Sequence, residues 1–414
     1  MKKLVLGLCG ALAFGLSAGP ASAALPHNFV FESPNSGSQA NQVYRPISVA
    51  GHPDWTARFA YVPSKVQPQM KSDGTCTAAE LGLPSWAASF KISNSKTETE
   101  CWQFVGSNPA DKAVQGKSGV TTTLPTQTYA YVLTFSNGQV FDPTAVNSKC
   151  DSLSPYARLQ ASPLYQTSAI TNGKVSLGNL QYEDAQSVGE WYKFTKKLPD
   201  YAVNLQDTGK VIKIPLTVPS NEGSTQTISG FCNGSIGTVD INWLANQIST
   251  NSWSVNQISV VLLWDVFQTE SGQSCVLGYH GAWTNSSNQN GTYSVTAMSN
   301  AGIFSASGIQ DIHATSHEFG ELINDPFGGN TTPLWGHVGQ VSGCQNNLEV
   351  GDPLTGTVYG KAGGGSGITI GGYTYHPQEL VYFSWFPEDK AYNKYGADDV
   401  FSMSGTFTAY AKVC

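Results

Sequence analysis

Residues 311–324 read DIHATSHEFGELIN, and the reading of this chain turns on them. The segment is predicted to be a helix, with Asp311 as its cap and Asp325-Pro326 as its stop. At about 100° per residue, positions 313, 317 and 321 fall within a band of roughly 80° on one face. Two imidazoles and a carboxylate therefore converge, which is the geometry of metal ligands. His317 and Glu321 stand at i and i+4, and Glu318 between them is placed to act as a general base on a water. A carboxylate at the second ligand position preserves coordination but adds negative charge. It weakens the ion as a Lewis acid and leaves room for calcium as well as zinc.

Working outward, a third ligand is expected about 30 residues downstream, where Leu348-Glu349-Val350-Gly351-Asp352 supplies Glu349 as first choice and Asp352 as second. His313, His280 and His337 lie in the same part of the chain and are further candidates as ligands or supporting groups. The plainer alternative makes Glu318 and Glu321 surface acids and His317 a satisfied core histidine, while Gly351-Asp352-Pro353 is also a good turn. Trp264, Trp283, Trp335 and Trp385 can stack on sugar rings, although such residues are more often core aromatics. Gly116-Lys117-Ser118 has Asp111 where a phosphate-binding loop needs glycine, and no nucleophile elbow is present.

The segment 259–267 (SVVLLWDVF) is a continuous apolar run suited to a buried strand, preceded by a helix at 239–248 and followed by a strand at 276–283. Residues 368–375 and 379–386 read as closing strands after a glycine-rich loop at 363–367. Further upstream, 126–135 alternates as a strand, Asn137-Gly138 offers a hairpin turn, and 184–197 has the pattern of a short amphipathic helix. Prolines break 24–125 into short β-leaning pieces. The division expected is a leader at 1–23, a β-rich N-terminal region at 24–125 and a second unit at 126–414.

The chain has 414 residues, a formal charge of −7 and only 12% charged residues, about half the usual fraction. There is no Lys/Arg excess to neutralise phosphates, so nucleic acid is excluded as an expected partner. Lys2 and Lys3, an apolar run too short to span a bilayer, and Ala21-Ser22-Ala23 read as a secretory signal. No later stretch is long enough for a membrane helix, so a secreted protein, extracellular or periplasmic, is expected. Cys9 falls inside the leader. The other seven cysteines then meet an oxidising compartment, where disulfides form and an odd count leaves one thiol over. Cys76 with Cys101 is the preferred pair, from closeness in sequence.

An ordered series of short motifs over roughly 255–390 resembles the phosphate-induced, Exordium-like proteins of plants and similar secreted bacterial proteins. It comprises the strand at 260–267, Gly278-Tyr279-His280-Gly281, Ser316-His317-Glu318-Phe319-Gly320-Glu321 with Asn324-Asp325-Pro326, then 348–352, a glycine-rich loop, and Leu380-Val381-Tyr382-Phe383-Ser384-Trp385-Phe386-Pro387. The chain departs from the pattern at Asp352-Pro353-Leu354, where the family has Asp-Leu-Cys. The resemblance implies an extracellular location and a zincin-like helix. Together these readings predict an α+β protein, β-rich at its N-terminus and metallopeptidase-like after it. Zinc is the expected ion, with calcium as the alternative, held by His317, Glu321 and Glu349 while Glu318 is the base. The expected substrate is an extracellular protein or peptide. The alternative is a non-catalytic binding or signalling protein, for cell-wall glycan or a protein partner, with a structural ion at the same cluster.

Overall fold

In the computed structural model the described residues are 30–31, 47–92, 99–115, 117, 120–198, 200–270, 274–360, 365–387, 400–408 and 414. The expected leader and Cys9 lie outside them. The fold is α+β and rich in strand.

The principal sheet contains β1 (Val30–Phe31), β2 (Thr121–Thr134), β3 (Val140–Phe141), β4 (Ala202–Asp207), β5 (Ile212–Thr217), β6 (Ile258–Trp264), β7 (Gly278–Thr284) and β8 (Asn290–Met298). Its spatial order is β1-β7-β8-β6-β2-β4, with β3 and β5 also pairing with β2. β2 runs parallel to β4, β5 and β6, and β6 parallel to β8, whereas β1, β7 and β8 pair antiparallel. Residue 125 lies inside β2, so the residues on either side of it share one strand. Asn137-Gly138 makes the expected hairpin turn between β2 and β3.

The apolar run of β6 is buried on both faces, as a central parallel strand requires. Val261 and Leu263 enter one core, and Ile258, Val260 and Leu262 the other. The strand does not continue to Phe267 as expected. Asp265 has φ +50°, which breaks it, and Val266–Thr269 leaves for a second, six-stranded sheet that also holds Ser274–Val276 and His52–Arg58.

Three helices carry the buried acids and the larger cores: α1 (Tyr182–Glu190), α2 (Ile241–Ile248) and α3 (His313–Asn324). α2 is capped by Asp240, whose side chain accepts from the Asn242 and Trp243 N–H groups. α1 is buried on nearly every face rather than amphipathic, and Glu183, Asp184 and Glu190 are all inside. α3 carries the motif and packs on β7 and β8. Along β8, Tyr293, Val295 and Ala297 enter the first core. Thr296, on the opposite face, accepts a hydrogen bond from Thr315 of α3 at 3.2 Å. Small polar residues on that face let the helix come close, and Phe319, Leu322 and Ile323 then fill the second core with Met298.

Two expectations for the C-terminal part are corrected. Residues 368–375 form a hairpin, Ile368–Ile370 with Tyr373–Tyr375, because Gly371 and Gly372 both take positive φ. Residues 379–386 are not a strand, and the segment ends in a 3-10 turn at Phe383–Trp385. Disulfides join Cys76 to Cys101, Cys150 to Cys232 and Cys344 to Cys414. Among the described residues the unpaired thiol is Cys275, buried in the second sheet. No described helix is long and apolar enough to cross a membrane.

Candidate metal centre

α3 does not begin as its sequence predicts. Asp311 has φ +42° and accepts from the Ile312 N–H, but Ile312 is the residue at the cap position. The Asp311 carboxylate is instead engaged by His376, through the backbone N–H at 2.9 Å and the ring Nδ1 at 2.7 Å. Beyond the helix, Asp325 accepts the N–H groups of Gly329 and Asn330 and ties off the turn.

Six side chains meet where α3, β7 and the 349–352 loop come together: His280, His317, Glu318, Glu321, Glu349 and Asp352. None is more than 5% exposed. His317 Nε2 lies 3.0 Å from Glu321 Oε1 and 3.7 Å from Asp352 Oδ1. His280 Nδ1 lies 3.3 Å from Glu318 Oε2 and 3.5 Å from Glu321 Oε2. Two groups of three donors result, each with its atoms within 4.8 Å of one another: His317, Glu321, Asp352 and His280, Glu318, Glu321. Glu321 belongs to both.

The far side of each imidazole decides what the near side offers. His280 Nε2 lies 3.0 Å from the Asp325 carbonyl, which can only accept, so Nε2 carries a hydrogen. The amide of Gln378 is oriented by its donation to the Gly351 carbonyl, which turns its Oε1 to His317 Nδ1 at 3.0 Å. Nδ1 of His317 is therefore the donor there. In the neutral rings, the lone pairs of His280 Nδ1 and His317 Nε2 both face carboxylate oxygens. A lone pair set 3.0–3.7 Å from a carboxylate is repulsive unless a proton or a cation sits between them. Supporting partners of this kind fix tautomer and ring orientation at metal sites.

Close backbone approach completes the enclosure. A Cβ on Gly351 would stand 2.3 Å from His317 Nδ1, and one on Gly278 2.7 Å from Glu318 Oε1. Phe59 stacks on the His317 ring at 3.4 Å between centroids. The Phe59 N–H donates to Gln340, and Gln340 and Gln345 both donate to Asp352. Three buried atoms of the cluster, His317 Nε2, Glu318 Oε1 and Glu349 Oε1, have no hydrogen-bond partner.

Without an ion, protons must serve in its place. Burial opposes charge on His280, yet Glu318 and Glu321 outweigh it and raise the imidazole to about 10. His317 is likewise raised to about 9 against burial, chiefly by Glu321. Burial pushes Glu318, Glu349 and Asp352 upward, and for Glu349 the neighbouring charge of Glu321 adds to it. Glu321 alone is drawn down, because the two imidazoles overcome its burial.

No protein-family model, curated protein or solved structure matches this chain.

The residues singled out in the sequence thus fall into three sets. His317, Glu321, Asp352, His280 and Glu318 converge. Glu349 is buried beside Glu321 and interacts with it, but it stands outside both groups of three. His313 and His337 are elsewhere. His313 Nε2 accepts from the Gly356 N–H, and burial lowers its imidazole to about 3. His337 is exposed, with Nε2 3.8 Å from the Cys344 sulfur. That sulfur is bonded to Cys414, so this third group offers no thiolate. Gln378, Gln340 and Gln345, together with the Asp325 carbonyl, orient the donors; the three glutamines were not singled out, and Asp325 only as the helix stop and in the motif series. Trp264, Trp283, Trp335 and Trp385 are all buried, in line with core aromatics.

Proposed function

We propose that the protein is an exported metal-dependent hydrolase of the peptidase type, with its ion held by His317, Glu321 and Asp352 and with Glu318 as proton acceptor. The observation that carries this is the placement of His317, whose Nδ1 is committed to Gln378 and whose Nε2 makes no hydrogen bond yet stands 3.0 Å from Glu321 and 3.7 Å from Asp352. Imidazole nitrogen with carboxylate oxygen suits zinc, whereas calcium takes oxygen donors, so zinc is preferred. A divalent ion at this position would polarise a carbonyl and lower the pKa of a water. The chain's own parts are then assigned by geometry. Gln378 holds the tautomer of His317, Gln340 and Gln345 hold Asp352, and His280 holds Oε2 of Glu318. Oε1 of Glu318 is left without a partner, free to accept a proton. Peptide bonds are assigned as substrate from the likeness of the H-E-x-x-E helix to zincins, and export from the three disulfides together with the leader expected at 1–23.

The test is elemental analysis of the purified protein together with hydrolysis of a broad peptide library, with and without chelator. Glu318→Gln should keep the ion at His317 while hydrolysis falls by about 10²–10⁴, the loss expected for a general base. A second reading, a binding protein with a structural ion, is favoured by the near-complete burial of every donor. It predicts bound metal with no chelator-sensitive hydrolysis.

A further inference from the structure

Glu321 turns one oxygen to each histidine, Oε1 to His317 and Oε2 to His280. Each imidazole also faces a second carboxylate that the other does not, Asp352 for His317 and Glu318 for His280. From this arrangement we infer that the cluster takes two divalent cations, with Glu321 bridging them: one at His317 and Asp352, the other at His280 and Glu318. The inference rests on the proposed ion at His317 and extends it to a second site at His280, outside the H-E-x-x-E helix.

Two observations support the second position independently of the first. His280 comes from β7, not from the motif helix, and its Nε2 is fixed by the Asp325 carbonyl, so its Nδ1 is aimed at Glu318 and Glu321. Gly278 permits Glu318 to lie against β7 at all, since a Cβ there would meet the carboxylate. Glu318 can bind the second ion through Oε2 and still offer Oε1 as a base, so the two assignments are compatible. Imidazole with carboxylate oxygen in a carboxylate-rich pair suits zinc or manganese rather than calcium.

The test is the metal-to-protein ratio of the chelator-stripped full chain after equilibrium dialysis against Zn²⁺. Electron paramagnetic resonance of the Mn²⁺-loaded wild type serves as a readout that needs no variant. The inference predicts two ions per chain, an exchange-coupled Mn²⁺ pair, and a fall from two ions to one in His280→Ala. A saturating ratio of one, with uncoupled Mn²⁺ and no change in His280→Ala, overturns the second site while leaving the ion at His317 intact. A ratio near zero in the wild type overturns both.

Discussion

Two helices of this protein bury acids, and they do so in opposite ways. On α1, Glu183, Asp184 and Glu190 are spread along the helix with no imidazole beside them. Both oxygens of Glu183 lack a partner, and burial raises Glu183 and Glu190 well above the ordinary carboxylate range and Asp184 to about 7. On α3, Glu318 and Glu321 converge with carboxylates from the 349–352 loop and with two oriented imidazoles. On the first helix burial favours the protonated form of the acids. The second groups acids around two oriented imidazole nitrogens, a set of donor atoms that either protons or an ion can satisfy. Burial alone therefore does not assemble donors for an ion; convergent, oriented nitrogen and oxygen atoms are needed as well.

The strongest way to break this contrast is Glu321→Ala. It removes the carboxylate common to both donor groups, so bound metal should fall below about a tenth of an ion per chain by elemental analysis. The loss in affinity should exceed the roughly 10–100-fold typical of removing a supporting partner. Glu183→Gln on α1 should leave metal content unchanged. If Glu321→Ala retained its metal, the cluster would not be where the ion binds.

The α1 acids make the opposite prediction, on pH. Asp184 accepts the Val203 N–H at 2.9 Å, a bond that an asparagine at this position would keep through its Oδ1. Because the folded carboxyl is raised to about 7, above its unfolded value, its favourable contribution is present below about pH 4 and is lost as pH rises towards 7. Asp184→Asn lacks this loss. Relative to wild type it should gain about 1–4 kcal/mol in urea unfolding between pH 4 and pH 8. Equal pH slopes for the two proteins would mean that Asp184 is ionised at little cost.

A smaller effect sharpens the role of orientation. Gln378→Leu removes the acceptor that fixes His317 without touching a donor. Zinc affinity should fall by about 10–100-fold while saturating stoichiometry is unchanged. Smallest of all, His337→Gln should alter metal content and affinity by less than about twofold, since its imidazole is exposed beside a disulfide rather than in the cluster.

Much of this contrast was legible in the sequence, and the rest was hidden for physical reasons. Helical periodicity places His317 and Glu321 on one face, and apolar continuity marks β6. Asp352 and His280 were identifiable as candidates, but the choice between Glu349 and Asp352 depends on the backbone path through Val350-Gly351, which spacing does not specify. Gln378 sits in a segment between two expected strands, and its value lies in where its amide points. Asp265 and Asp311 adopt positive φ, which composition gives little reason to assign to aspartate. The burial of α1 was missed because its acids look like a solvated face until the sheet and α3 enclose them.

The central claim is that the α3 cluster is an ion site and not a set of buried ion pairs. Calorimetric unfolding of the purified protein, before and after chelator dialysis and again after zinc is restored, tests it most directly. The account predicts at least one ion per chain before dialysis, a melting temperature lowered by several degrees when it is removed, and recovery on restoration, as binding to the native state requires. A chelator-indifferent melt, with less than about a tenth of an ion per chain and no rise on adding zinc, would contradict it.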